Sequence, residues 1–169
     1  IIIMTDVADW WQTDIIDMAP GQIRLRGFAI EDLIGNIGFA EMVWLMTRGT
    51  RPDAAQAALF EAALVSAVDH GPQAPSIAAA RMAVSCGLPL NNAMATAINM
   101  LGDVHGGAGE QAMQFFHAVK NHAGTMSREA AIDLVFRENN QLVPGFGHRF
   151  HKNADPRSVR LMNLLETAV

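Results

Sequence analysis

Residues 75–101 read PSIAAARMAVSCGLPLNNAMATAINML. The alanines at 78, 79, 80, 83, 93, 95 and 97 leave these two stretches apolar on nearly every side. That is the composition of interior helices at close approach. Proline suits the first position of a helix and glycine the residue just past its end. The stretch therefore predicts one helix over Pro75–Cys86, closed by Gly87, and a second over Asn91–Leu101, closed by Gly102.

Working outward, the same punctuation recurs. Phe39, Met42, Val43 and Met46 share one face of a predicted helix over Phe39–Arg48, which Gly49 ends. Asp53 is a natural N-cap for the next helix, whose apolar residues Leu59, Phe60, Ala63, Leu64, Ala67 and Val68 run on until Gly71 and Pro72 interrupt it. Further helices are predicted over Gly109–His122, over Ser127–Asn139, and from Pro156 past Leu165 to an apolar Val169. Residues 13–30 differ, and read as two short extended pieces around a Pro20–Gly21 turn. The expectation is an all-α, multi-helical single domain over residues 1–169 with a short extended N-terminal segment.

The composition bounds the functions open to such a chain. Of its 169 residues, 50% are hydrophobic and only 17% are charged, an excess that predicts burial against another subunit or further chain. A net charge of −5 with no basic run excludes a nucleic-acid surface. The start IIIMTDVADWW is too short and too acidic to span a bilayer. A single cysteine, Cys86, forms no internal disulfide and is at home in a reducing cytoplasm. The ten methionines read as core fillers.

The residues that carry chemistry cluster in VPGFGHRFHKNADPR, residues 143–157. No helical or strand period runs through it, so burial did not choose it. Pro144, Gly145 and Gly147 hold a tight, open backbone before His148, and Asp155-Pro156-Arg157 starts a helix from whose first turn Arg157 projects. An imidazole and a guanidinium on one pocket suit a small polycarboxylate. In LGDVHGGAGEQAM, residues 101–113, His105 precedes Gly106 and Gly107, which permit close approach to the imidazole. In VDHGPQAPS, residues 68–76, His70 stands at a helix end before a Gly-Pro break. His117 and His122 lack such surroundings and read as structural or solvent-facing. No metal site is expected, because no HxxxH or CxxC spacing occurs and the one cysteine lies far away.

In this order and spacing the segments resemble the citrate synthase family and its relatives, the citryl-CoA lyases. RLRGFAIEDLI at 24–34 resembles the family's arginine-rich strand and following turn, and VDHGPQAPSIAAAR its first substrate-histidine segment. DVHGGAGE resembles the His-Gly-Gly-Ala motif, and PGFGHRFHKNADPR the most diagnostic signature; the likeness runs from Asp14 to Val169. The resemblance implies a helical homodimer that makes or breaks a carbon–carbon bond beside a CoA thioester, with acetyl-CoA, oxaloacetate and citryl-CoA as substrates and no permanently bound cofactor. It assigns enol stabilisation to His105 and the ketone or hydroxyl of the oxoacid to His148, both as catalytic residues. It assigns the substrate carboxylates to His70 and Arg157. It gives the CoA adenine to the backbone of Val143, Pro144, Gly145, Phe146 and Gly147, and a CoA phosphate to Lys152.

The family's catalytic aspartate belongs to a segment after the second histidine motif, and Val169 precedes any such segment; Asp103 and Asp155 match other motif positions. The expectation is that the chain does not by itself encode a complete active site, with a late arginine lost too. Two departures favour one branch. Asp69-His70-Gly71-Pro72 and the histidine at 151 in HRFHK are more similar to citryl-CoA lyases and to the lyase domain of ATP-citrate lyase than to the synthases. The resemblance thus implies cleavage of citryl-CoA first, condensation to citrate second, and a non-catalytic CoA-binding helical module as the reading from another class.

Overall fold

A computed structural model describes residues 10–148 and 150–168 of the chain. Most of the apolar start, together with Arg149 and Val169, lies outside these described residues. The described chain divides into two compact units, one of the residues up to Val68 with those from Pro156 onward, the other Asp69–Asp155.

The first unit opens with three strands, β1 (Ile16–Ala19), β2 (Gln22–Leu25) and β3 (Phe28–Ala29), in an antiparallel meander. Pro20–Gly21 makes the first turn, with Gly21 at φ +77°. The second turn is Arg26–Gly27, both left-handed at φ +49° and +86°. This two-residue arrangement matches the right-handed twist of paired strands. The expectation of two extended pieces thus becomes three strands, and Arg26 stands in a turn. From that turn its Nε and Nη2 both donate to the Met46 carbonyl, at 3.2 and 2.8 Å.

Met46 lies in the last turn of α2 (Phe39–Arg48), which follows the one-turn α1 (Ile30–Leu33). The guanidinium therefore satisfies a carbonyl near a helix C-terminus, where a cation is favoured. Gly49 ends α2 at φ +79°, as predicted. In α3 (Ala54–Ser66), Asp53 caps reciprocally with Gln56: the Gln56 amide donates to Asp53 Oδ1 at 2.8 Å and the Asp53 amide to Gln56 Oε1 at 3.1 Å. Leu45 is wholly buried, and Trp44 meets Phe60 of α3 edge to face at 5.7 Å. The last helix, α8 (Pro156–Ala168), packs against α3.

In the second unit α4 (Pro75–Ser85) and α5 (Leu90–Asn99) form the most extensive helix pair, and Ala83 and Ala93 are buried. Side chains this small let two backbones approach closely. Cys86 ends α4 as an exposed residue. α6 (Ala108–His122) packs on α7 (Arg128–Glu138), which Ser127 caps through the Ala130 amide, and Phe115, Ala131 and Val135 form the buried core there. Helix boundaries fall within two residues of those predicted except at the end of α3, which stops at Ser66 and not at the Gly71–Pro72 break, so that His70 lies beyond the helix. Gly102, however, does not close α5 as a left-handed cap; its amide donates to the His105 carbonyl at 2.9 Å, inside the next loop. Among the described residues no helix is long and apolar enough to cross a membrane.

Because Arg26 supplies hydrogen bonds to a helix-end carbonyl across 20 residues of sequence, Arg26→Met is expected to lower unfolding stability by about 1–3 kcal/mol. Urea denaturation followed by circular dichroism checks this, and an unchanged midpoint contradicts it.

Candidate functional site

Two loops of the second unit are built onto the first turns of α6. The loop 101–107 is closed by the Gly102–His105 hydrogen bond and by Gln111 Nε2, which donates to the Asp103 carbonyl at 2.9 Å. Gly106 takes φ +110°, a conformation that side chains disfavour. At Gly107 a Cβ would sit 2.6 Å from the Asp103 carbonyl oxygen and 2.8 Å from its Cα. Gly107 therefore serves close approach of backbone to backbone, and any side chain there forces the Asp103 backbone to move, while Gly106 supplies the left-handed turn.

The result is a half-buried His105 whose Nε2 meets the first turn of α4. The Ser76 amide donates to that nitrogen at 3.2 Å, and Ser76 Oγ lies 2.9 Å from it. An amide N–H can only donate, so Nε2 is the acceptor and the proton of the neutral ring is on Nδ1. Ser76 is a site residue that the sequence reading passed over. Its signal was slight: a serine directly after the Pro75 that starts the helix, in the segment already singled out for His70.

The second loop, 143–148, lies on the same helix. Gly145, at φ +79°, packs so closely on α6 that a Cβ there would be 3.1 Å from the Ala112 Cβ and 3.2 Å from the Ala108 carbonyl oxygen. Phe146 adds an edge-to-face contact with Phe116 of α6 at 6.3 Å, and its amide closes a turn onto the Val143 carbonyl at 3.3 Å. Gly147, at φ +98°, then delivers His148. Nδ1 of His148 accepts from the Phe150 and His151 amides at 3.1 and 3.3 Å. By the same logic its ring proton is on Nε2. The two histidines thus present opposite nitrogens as donors.

The other predicted residues fall as follows. His70 is exposed in a short turn made by the Gly71 amide on Asp69 Oδ1 at 2.8 Å, six residues upstream of Ser76. Lys152 is exposed in the loop after His148. Val143 and Pro144 are half-buried, and Pro144 lines a cavity of about 360 Å³ between α6 and α7 with Gln111, Phe115 and Asn139. Arg157 belongs to the first unit, in the first turn of α8, and lines a groove of about 460 Å³ with Ala62, Arg160 and Leu161. The structure therefore brings the His105 and 143–148 loops together on α6, joins Ser76 to them, and assigns Arg157 to the other unit.

Residues 46–169 match the family described as citrate synthase, C-terminal domain. A citrate synthase of Deinococcus radiodurans is 36% identical over 123 residues, 72% of this chain and 31% of that protein. A 2-methylcitrate synthase of Mycobacterium tuberculosis is 30% identical over 144 residues, 85% of this chain and 35% of that protein. The solved citryl-CoA lyase of Hydrogenobacter thermophilus matches with a TM-score of 0.82 at 35% identity, over 94% of this chain and 60% of that one. ATP citrate lyase of Methanothrix soehngenii, solved with citrate and coenzyme A, shares the fold with a TM-score of 0.81 at 20% identity, over 98% of this chain and 29% of that one. The chain spans about a third of the length of the curated relatives it matches.

The opposite tautomers are directly measurable. Long-range ¹H–¹⁵N spectra of the neutral side chains are expected to show His105 protonated on Nδ1 and His148 on Nε2. The same tautomer at both would contradict the hydrogen-bond assignment.

Proposed function

This chain belongs to the citrate synthase family, and from that premise we propose that it works on a carbon–carbon bond beside a CoA thioester, cleaving citryl-CoA to acetyl-CoA and oxaloacetate. The observation that carries the proposal is the pair of imidazoles, held by loops packed on α6, whose opposite nitrogens, His105 Nε2 and His148 Nδ1, accept backbone amides. In either direction the reaction places negative charge on two oxygens: the thioester oxygen as the acetyl group becomes an enol, and the oxygen on the central carbon of the oxoacid. Fixed N–H groups aimed at such oxygens stabilise the charge without reorganisation. Nδ1–H of His105 serves the thioester oxygen, and Nε2–H of His148 serves the ketone or alkoxide oxygen. Each ring has its acceptor nitrogen already occupied, so neither is the base for the methyl proton. That role falls to the carboxylate the family resemblance implies.

His70 and Arg157 hold the substrate carboxylates in this account, the guanidinium in a paired, planar grip. The backbone of 143–147 cradles the CoA adenine, and Lys152 meets a phosphate. No resident cofactor is required. Cleavage is placed first on the likeness to the Hydrogenobacter citryl-CoA lyase and on the Asp69-His70-Gly71-Pro72 segment. Condensation to citrate is the second reading, favoured by the 36% identity with the Deinococcus citrate synthase. Products decide between them. Given citryl-CoA, a lyase releases acetyl-CoA and oxaloacetate, whereas a synthase releases citrate and CoA. In the full-length protein, which carries the downstream carboxylate, His105→Ala is expected to lower turnover by about two orders of magnitude or more, and near-normal turnover removes His105 from the mechanism.

The same proposal includes a homodimer in the cytoplasm. Met82, Leu90, Met94 and Ile98 of α4 and α5 are all exposed, Leu90 at 73% and Ile98 at 62%. Apolar side chains in that number on one helix pair resemble a core cut in half, as obligate interfaces do. Ala93, by contrast, is buried within the chain, at 2% exposure, so a charge there tests folding and not assembly. Met94→Glu is the cleaner probe. Light scattering coupled to gel filtration is expected to give a dimer for the wild type and its loss in Met94→Glu; a monomeric wild type overturns this part.

A further inference from the structure

The residues after His148 assemble a donor set that the sequence reading did not anticipate. His148, His151 and Asp155 each bring one potential ligand atom to within 4.8 Å of the other two. The two imidazole rings lie 4.8 Å apart between centres, tilted by 34°. The expectation of no metal site rested on the absence of HxxxH or CxxC spacing. Here the spacing is three residues from histidine to histidine and four more to the aspartate, and a loop rather than a helix brings the groups together. Two neutral imidazoles and a carboxylate form a donor set suited to borderline divalent transition metals, zinc foremost, and unlike the all-oxygen shells of calcium or magnesium.

We infer that His148, His151 and Asp155 form a zinc-class binding site whose occupation withdraws His148 from substrate. Ligand atoms around a tetrahedral zinc lie roughly 3.3 Å apart, given bonds of about 2.0–2.1 Å. The loop therefore contracts modestly on binding, and its flanks allow that: His151, Lys152, Asn153 and Ala154 are all exposed. His148 can ligate through either nitrogen. At Nδ1 the metal displaces the two amide hydrogens now held at 3.1 and 3.3 Å, and turns the ring toward His151 and Asp155. At Nε2 it takes the place of the proton that would be donated. The Nε2 route removes His148 as a hydrogen-bond donor outright, whereas the Nδ1 route leaves Nε2–H on the ring and withdraws it by undoing the amide contacts that orient it. Metal binding stands on the geometry alone, and only the inhibitory consequence rests on the function proposed above.

Calorimetric titration of the metal-free full chain with zinc chloride tests the site. The wild type is expected to bind one zinc per chain, and His151→Gln to weaken that binding by about tenfold or more. His151 is exposed, so the variant is expected to fold, which circular dichroism confirms. Cobalt substitution gives a second readout, visible d–d bands present in the wild type and lost in the variant. No zinc binding by the wild type, or a smaller change in His151→Gln, overturns the site. With citryl-CoA as substrate, zinc is expected to inhibit the wild type and spare His151→Gln. A full-length protein, carrying the downstream carboxylate, that binds zinc through His151 yet turns over nothing refutes the proposed function and leaves the metal site standing.

Discussion

The hydrogen bond from the Ser76 amide to Nε2 of His105 ties the first turn of α4 to the loop after α5, across 29 residues of sequence. A backbone amide has no choice of role, so this contact sets which nitrogen of the imidazole carries the proton. It holds only if the 101–107 loop is drawn tight enough to bring the ring to the helix. Gly107, with no room for a Cβ against Asp103, is what allows that tightening. The Gly102 amide on the His105 carbonyl closes the loop, and the Gln111 side chain locks it to α6 through the Asp103 carbonyl. A net hydrogen bond is worth about 1 kcal/mol, so this contact matters less for stability than for the chemistry it leaves open to the ring.

α6 links that loop to the second one. Its first two turns offer Ala108 and Ala112, small enough for Gly145 to lie directly on them, and Phe116 receives Phe146 one turn further on. The backbone of 143–147 is thereby committed to the helix, and His148 arrives with its Nδ1 already engaged by the amides that follow. His105 and His148 alike accept from backbone amides, and His148 also lies 4.8 Å from His151 between ring centres. Both are thus oriented by backbone N–H groups, which do not titrate.

Much of this was legible in the sequence because it rests on local rules. Gly49 as a left-handed helix end, Asp53 and Ser127 as N-caps, and Pro75 at a helix start all act within a few residues. The histidine segments stood out because glycine and proline surround them. What escaped depends on contacts between distant segments or on residues used against type. Arg26 adopts a left-handed conformation that arginine rarely takes, so the second hairpin turn was read as part of a strand. Ser76 contributes chiefly through its amide, and an amide carries no sequence signal. His151 was noticed as a departure from the usual pattern, yet its approach to Asp155 depends on the course of an irregular loop that no periodicity describes.

The central claim is that the two backbone-oriented imidazoles meet one substrate through Nδ1 of His105 and Nε2 of His148. A crystal structure of the protein with citrate and CoA tests it most directly. The account predicts the citrate hydroxyl within hydrogen-bond distance of His148 Nε2, with Nδ1 of His105 facing the sulfur end of CoA and Ser76 still on its Nε2. Citrate bound away from His148, or a His105 ring turned so that Nε2 faces the ligand, would contradict it.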